Sequence, residues 1–201
     1  CATRGQAPYK QVVTHGFTMD EKGRKMSKSI GNSVDPQKVI GQSGAEIIRL
    51  WVMSSDYSED TRVGPEIIKA NTDAYRKMRN CFRFLLGNLA HFKANEKIDP
   101  ADMPELERYM LHRLGELDAL VRQNYAHYDF RKIYQALFNF MTIDLSAFYF
   151  DIRKDTLYCD PASSHNLRAC RTVLDIAFTC LTRWLAPILC FTAEEVWQSR
   201  Y

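Results

Sequence analysis

Two lysines and two serines lie together in the segment Lys25-Met26-Ser27-Lys28-Ser29, and Gly31 follows closely. Lysine ammonium groups are compact positive charges, serine hydroxyls donate hydrogen bonds, and glycine lets the backbone approach a ligand. This set of groups suits the binding of a polyphosphate. Composition alone would favour a solvated basic loop. The order of the residues therefore has to decide between such a loop and a polyphosphate site.

The flanking sequence predicts how this segment is held. Residues 11–18 are rich in β-branched and aromatic side chains, which predicts a strand, and residues 19–23 predict the turn of a hairpin or an exposed loop. Residues 24–33 are too polar and too rich in Gly and Ser for a buried element. We therefore expect the lysines on a surface loop that follows a strand.

A pair of helices is expected next. Asp35 and Pro36 fit the N-cap and first position of a short helix, which Gly41 and Gly44 punctuate. Residues 45–53 predict a second helix, and residues 54–58 together with Gly64 and Pro65 predict loop.

The rest of the chain shows helical periodicity in four apolar stripes, which predicts a helical bundle with connections near residues 95–104 and 158–164. A capping box at Thr192 and Glu195 predicts a further helix after Pro187. The stripes are Phe82, Leu85, Leu86, Leu89 and Phe92; Leu106, Met110, Leu114, Leu117 and Val121; Ile133, Leu137, Phe140, Met141, Leu145 and Phe148; and Leu167, Cys170, Val173, Leu174, Ala177, Leu181 and Trp184.

Bulk composition excludes some classes of protein. The chain is 46% hydrophobic and 25% charged, and no long uncharged apolar run predicts a membrane segment. The net charge of +3 is too small to indicate a nucleic-acid partner without local patches. The six cysteines form no Cys-x-x-Cys pair and the five histidines complete no ligand spacing, so we expect no metal site and reduced core thiols.

The order Lys-Met-Ser-Lys-Ser resembles the signature loop of the class I aminoacyl-tRNA synthetases, and the surrounding sequence is most similar to their bacterial isoleucine-specific members. The resemblance covers essentially the whole chain. It implies a mainly α fold with two domains. Residues 1–33 form the C-terminal edge of a Rossmann-type nucleotide-binding domain, residues 63–201 form a helical anticodon-binding domain, and residues 34–62 connect the two. The similar segments include residues 7–10, 14–17, 25–32, 45–56 and 184–197.

The resemblance also implies a reaction and its residues. Isoleucine and ATP, with Mg²⁺ expected alongside the ATP, would give an aminoacyl adenylate and pyrophosphate, and the aminoacyl group would then move to tRNA(Ile). Lys28 is assigned first to ATP with Lys25 as its helper. The other residues assigned to the nucleotide are Met26, Ser27, Ser29, Gly31 as a hinge, and His15 and Gly16 at its border.

Basic residues on the first long helix are candidates for contacts to RNA. Arg76, Arg79 and Arg83 lie there with Lys77. They are candidates because contacts to phosphate need positive charge. The neighbouring aromatic residues Tyr75, Phe82 and Phe84 either stack on bases or point into the core. Other open candidates are Arg153, Lys154, Arg168 and Arg171.

The second family signature, His-x-Gly-His, does not occur in these 201 residues. We therefore expect an internal piece of a longer, monomeric cytoplasmic enzyme, inactive alone, with any zinc-binding tail downstream. Two alternatives stay open: a non-catalytic tRNA-binding module derived from a synthetase, and the valine or methionine enzyme.

Overall fold

In the computed structural model, which describes residues 3–201, the chain is mainly helical, as predicted. The α-helices are α1 (Pro36–Ser43), α2 (Ala45–Ser54), α3 (Pro65–Leu89), α4 (Glu105–Ala126), α5 (Phe130–Asn139), α6 (Phe150–Cys159), α7 (His165–Leu185) and α8 (Cys190–Arg200). A π-helical segment, Phe140–Tyr149, joins α5 to α6, and two 3₁₀ turns, Ala94–Glu96 and Pro100–Asp102, lie between α3 and α4. Two short strands, β1 (Thr18–Met19) and β2 (Thr61–Arg62), complete the elements.

The strand predicted over residues 11–18 is wrong for residues 11–17. Strand β1 pairs in parallel with β2, with Thr18 opposite Thr61 and Met19 opposite Arg62. Residues 11–15 make no backbone-to-backbone hydrogen bond within the described chain, and a strand requires a partner for its ladder. The turn prediction is confirmed, because Asp20 N–H donates to the Arg24 carbonyl and Gly23 takes a φ of +75°.

Helices α1 and α2 form where the sequence predicts them. The Asp35 carboxylate accepts a hydrogen bond from Gln37 N at 2.9 Å, which confirms it as the N-cap of α1. The punctuation expected at Gly41 is wrong, since α1 continues to Ser43. Gly44, with a φ of +88°, ends it. A single glycine inside a helix costs about 1 kcal/mol relative to alanine and does not have to end it.

The four predicted stripes form one core. Helix α7 runs through its centre, and most of its residues are buried against α3, α4, α6 and α8. Leu86 and Leu106 are half-buried at the edge of this core. The core members without any exposed surface include Leu85, Leu89, Met110, Ile133, Leu137, Leu145, Val173, Leu174 and Leu181.

Phe148 is the one stripe residue that the sequence places on the wrong side. It is 40% exposed, whereas its neighbour Tyr149 is fully buried. The cause is the π-helical segment, whose wider turns offset the residues that follow it relative to an α-helix. The hydroxyl of Ser146 donates to the carbonyl of Met141, five residues earlier, which is the spacing of those wide turns.

Side chains of α2 form hydrogen bonds with the backbone at the corner between α7 and α8. Helix α8 begins at Cys190, so the capping box predicted at Thr192 is wrong, and Thr192 lies buried within the helix. The carboxylate of Glu46 accepts hydrogen bonds from the backbone N–H groups of Phe191 and Thr192. Arg49 donates to the carbonyls before α8, from Nη2 to Pro187 at 2.6 Å and from Nε to Ile188 at 2.7 Å.

The cysteines at positions 81, 159, 170, 180 and 190 are free thiols. Cys81 and Cys170 are buried as predicted, and burial raises the pKa of each thiol to about 12. Cys159 and Cys190 are exposed and do not belong to the core. Cys1 lies outside the described residues. Among the helices of residues 3–201, none is both long and apolar enough to cross a bilayer.

Candidate functional site

The signature loop begins after the turn that follows β1. Lys25 forms an isolated antiparallel bridge with Met19, which closes the turn of residues 20–24. The next turn closes where Gly31 N–H donates to the carbonyls of Ser27, at 3.1 Å, and Lys28, at 3.2 Å. Gly31 has a φ of +73°, a left-handed conformation that glycine adopts without strain.

The loop exposes its charged side chains. Lys25 and Lys28 are both exposed, and no carboxylate of residues 3–201 lies within 4.0 Å of either ammonium group. The hydroxyls of Ser27 and Ser29 are hydrogen-bonded to each other at 2.7 Å, and Ser29 is exposed beside Lys28. The structure thus gathers two unpaired cations and two hydroxyls on one exposed turn.

Met26 faces the opposite way from the lysines' exposed surface. Its side chain is half-buried, and its sulfur accepts a weak hydrogen bond from Val34 N at 3.4 Å. It lines an apolar cleft of about 260 Å³ together with residues of α1, α2 and α3, among them Val39, Ile48 and Ile68. Met26 therefore lies on the half-buried side of the loop, in contact with the backbone of Val34.

Two residues that the sequence analysis did not single out hold the loop together. Asn32 and Asp20 are hydrogen-bonded to each other, from Asn32 Nδ2 to Asp20 Oδ2 at 3.0 Å. Asp20 is 7% exposed and also accepts from the backbone of Lys22 and Arg24. The Arg24 backbone N–H and the Asn32 side chain lower the pKa of the Asp20 carboxyl to about 2. An aspartate directly before a turn was the available signal, since such residues commonly accept hydrogen bonds from turn N–H groups.

His15 and Gly16 line a separate apolar cleft of about 360 Å³, whose walls include Trp51, Tyr57 and Phe130. Gly16 N–H donates to the Tyr57 carbonyl at 2.9 Å. A Cβ at position 16 would lie 2.3 Å from the carbonyl carbon of Glu59, so only glycine fits this close approach. His15 is exposed, and its Nδ1 lies 2.7 Å from the Gly16 carbonyl.

The basic residues of α3 differ in how far their charges are already neutralised. Arg83 and Lys77 are exposed and make no ion pair with a described residue. Arg76 pairs with Asp73 at 3.2 Å on the exposed surface. Arg79 is bound more fully: its guanidinium contacts both oxygens of Glu195 at 2.8 and 3.1 Å and also donates to the Tyr75 hydroxyl.

The aromatic residues beside these arginines pack in or against the core. Phe82 is 2% exposed and meets Phe178 edge to face. Phe84 stacks on Phe150 with ring centroids 4.1 Å apart. The hydroxyl of Tyr75 is hydrogen-bonded to that of Thr192.

Three of the four remaining basic candidates already bind other groups of the described chain. Arg153 makes a bidentate pair with Glu107, with both N–O distances 2.7 Å, and Lys154 pairs with Asp151. Arg168 Nε donates to the Glu96 carbonyl at 3.0 Å. The Nε of Arg171 is buried and has no hydrogen-bond partner among the described residues.

Two family models match the chain, and the first of them includes α1 and α2. Residues 1–64 match the tRNA synthetases class I (I, L, M and V), and residues 107–201 match the anticodon-binding domain of tRNA ligase. The first match contains the exposed lysine loop, and the second contains most of the bundle. The chain belongs to the class I tRNA synthetases.

The similar curated proteins that we compared are isoleucine--tRNA ligases. Over its whole length, the chain is 59% identical to that of Ruegeria pomeroyi and 61% identical to that of Agrobacterium fabrum. In each case it spans 21% of the relative's length.

Solved structures of related synthetases share the fold. A LeuRS from Agrobacterium radiobacter K84, solved as a ternary complex with tRNA and LeuAMS, aligns with a TM-score of 0.72 at 21% identity, over 92% of this chain and 21% of that one. Mycobacterium tuberculosis methionyl-tRNA synthetase with methionyl-adenylate aligns with a TM-score of 0.71 at 21% identity, over 90% of this chain and 36% of that one.

Proposed function

We propose that the chain is part of an isoleucine–tRNA ligase, which activates isoleucine with ATP and transfers it to tRNA(Ile). The observation that carries this proposal is the intact signature loop, with Lys25 and Lys28 exposed and without acidic partners in the described chain, in a sequence about 60% identical throughout to proteins of that name.

The loop is assigned to the activation step. The isoleucine carboxylate attacks the α-phosphorus of ATP, the bond to the bridging oxygen of pyrophosphate breaks, and negative charge grows on that leaving group. Cations already positioned there stabilise the transition state more than the ground state. We assign this role first to Lys28, with Lys25 as its helper, and we assign hydrogen bonds to the phosphates to the hydroxyls of Ser27 and Ser29.

The other nucleotide-site residues shape this site. Gly31 is the proposed hinge of the loop, because its φ of +73° is available to glycine at little cost. In this proposal Met26 also belongs to the nucleotide-binding loop, and His15 and Gly16 border the nucleotide. ATP enters as substrate with its Mg²⁺, and the described residues hold no group of three or more possible metal ligands.

The helical region is assigned to tRNA. Arg83 and Lys77 carry unpaired charges on the exposed side of α3, so they can contact phosphates without breaking an ion pair. To contact a phosphate, Arg76 would have to break its exposed ion pair with Asp73. Arg79 would have to break its two contacts with Glu195. We place Arg83 and Arg76 ahead of Arg79 for this reason.

The proposed division of labour follows the chain. Residues 1–33 complete the catalytic domain, residues 34–62 connect, and residues 63–201 bind the anticodon region. The enzyme is proposed to act in the cytoplasm as a monomer. Since the chain spans 21% of its relatives' length, the isoleucine pocket is expected elsewhere in a longer polypeptide, and the chain alone is expected to be inactive.

The test is amino-acid-dependent exchange between pyrophosphate and ATP, followed by tRNA charging, with the full-length polypeptide. Isoleucine is expected to support both reactions at far lower concentration than valine or methionine. A preference for valine or methionine would favour one of the alternative synthetases. Binding of tRNA without any exchange would favour the non-catalytic module instead.

A further inference from the structure

A single carboxamide contacts the signature loop at two points and joins it to Asp20. Asn32 Oδ1 accepts a hydrogen bond from Ser27 N at 2.8 Å, and Asn32 Nδ2 donates to the Lys25 carbonyl at 3.2 Å and to Asp20 Oδ2 at 3.0 Å. The contacts to Lys25 and Ser27 flank Met26 inside the signature. This arrangement needs a donor and an acceptor on one side chain, which a carboxamide supplies and a carboxylate does not.

Asp20 connects this carboxamide to the folded body. Its Oδ1 accepts from Lys22 N at 3.0 Å and from Arg24 N at 2.8 Å, and its Oδ2 accepts from Arg24 Nε at 2.8 Å as well as from Asn32. It directly follows β1, whose Met19 is paired with Arg62 of β2. A nearly buried, fully hydrogen-bonded carboxylate is thus fixed to the strand pair on one side and to the loop on the other.

We propose that Asp20 and Asn32 are positioning residues that hold residues 25–29 in the turn presenting both lysines. The inference rests on the proposed function for its catalytic consequence, although the anchor itself is a property of this chain. Neither lysine has an acidic partner in residues 3–201, and the contacts of Asn32 hold the backbone from which the two side chains extend. A loop ordered before ATP binds loses less conformational entropy in the transition state.

The catalytic test compares Asn32→Ala and Asn32→Asp with the control Ser33→Ala in the full-length polypeptide. Ser33 is the exposed next residue and makes no side-chain hydrogen bond in the structure. Both Asn32 variants are expected to lower kcat for pyrophosphate exchange by about 10²-fold, with the KM for isoleucine unchanged. Asn32→Asp retains the acceptor for Ser27 but loses the donor and sets a second carboxylate against Asp20.

A wild-type rate in Asn32→Asp would overturn the proposal, because it would show that the link to Asp20 and Lys25 is dispensable. A loss of rate accompanied by an equal loss in Ser33→Ala would overturn it too, since the effect would then belong to any change in this segment.

A second measurement does not depend on ATP. Trypsin cleaves after Lys25 and Lys28, and Asn32→Ala is expected to raise initial cleavage there by about tenfold, without a change in melting temperature, because the loop opens more often. Cleavage at the wild-type rate would overturn the anchor. If exchange fails in the wild-type protein while Asn32→Ala still accelerates cleavage, the proposed function is wrong and the anchor stands. If Lys28→Ala slows exchange and Asn32→Ala does not, the function stands and the positioning role is wrong.

Discussion

The buried carboxylate of Glu46 in α2 accepts a hydrogen bond from Thr192 N in α8 at 3.0 Å, across 146 positions of sequence. The first turn of a helix has N–H groups without intrahelical partners, and a carboxylate is favoured there. Leu189, at the N-cap of α8, has no side-chain acceptor, so Glu46 of α2 supplies one from a distance. The helices after the signature loop and the end of the bundle are thereby joined directly.

This relationship predicts the cost of removing Glu46. Glu46→Ala is expected to lower the free energy of unfolding by about 1–3 kcal/mol, because buried N–H groups of α8 lose their acceptor. Urea denaturation measures the change. Glu194→Ala is the matched control, since Glu194 is exposed on the same helix and contacts Gln198. The control is expected to stay within about 0.5 kcal/mol of wild type, and a similar value for Glu46→Ala would refute the capping role.

Lys28→Ala is expected to slow pyrophosphate exchange by the full-length polypeptide about 10²–10³-fold, the usual effect of removing one group that stabilises transition-state charge. Lys22→Ala serves as the control, because Lys22 is also exposed but lies in the preceding turn. An exchange rate within a few-fold of wild type for Lys28→Ala would remove the assignment of this residue to ATP.

Arg83→Gln is expected to weaken tRNA binding and to reduce the salt dependence of the binding constant by about one unit of slope, because one phosphate contact is lost. A salt titration of tRNA affinity measures both. Arg79→Gln provides the comparison, since the charge removed there already contacts Glu195. A slope unchanged in Arg83→Gln would show that this residue touches no phosphate.

Because Glu107 and Arg153 form a buried pair, the effects of changing them on the free energy of unfolding are expected to be non-additive. Glu107 is fully buried, the side chain of Arg153 is 19% exposed, and the hydroxyl of Tyr149 also donates to Glu107. Arg153→Met leaves the carboxylate without its cation and is expected to destabilise the protein by about 3–5 kcal/mol. The double change Glu107→Met with Arg153→Met is expected to be much less destabilising, as measured by urea denaturation. Additive losses would contradict this account.

The Asp20 carboxyl predicts a pH dependence. Its pKa falls from the usual 3.8 to about 2, chiefly through the Arg24 backbone N–H and then the Asn32 side chain. A lowered pKa in the folded state stabilises the anchor above pH 3.8, and that stabilisation is lost as the pH falls through about 2. Carboxyl ¹³C chemical shifts are expected to show Asp20 still ionised at pH 3, with a higher titration midpoint in Asn32→Ala. An equal midpoint in the two proteins would remove Asn32 as a cause.

The sequence predicted those elements whose signal is periodic or local. The stripe of α7 from Leu167 to Trp184 is correct because burial on one face repeats with the helical turn. Asp35 is a correct N-cap because its contact is only two residues away. The strand over residues 11–17 was wrong because β-branched residues favour a strand, whereas the ladder depends on a partner far along the chain.

The sequence predicted the charged residues of the site but not the hydrogen bonds that hold its loop. The lysine loop was recognisable from residue order alone, whereas the bridge from Asn32 to Asp20 spans twelve positions and produces no periodic pattern. Thr192 and Glu195 matched a capping box, yet their partners are Glu46 and Arg79 on other helices. Sequence spacing cannot reveal such contacts, because tertiary packing decides where a partner from another helix replaces the local one.

The wide turns of residues 140–149 also fix how many amino acids this stretch must contain. Each residue of an α-helix turns the chain by about 100°, and each residue of a π-helix turns it by less, because its hydrogen bonds close a wider turn. That smaller rotation brings Phe150 and Leu157 of α6 to the buried side. The number of residues between Asn139 and Phe150 therefore decides which face of α6 meets the core, as much as their identity does.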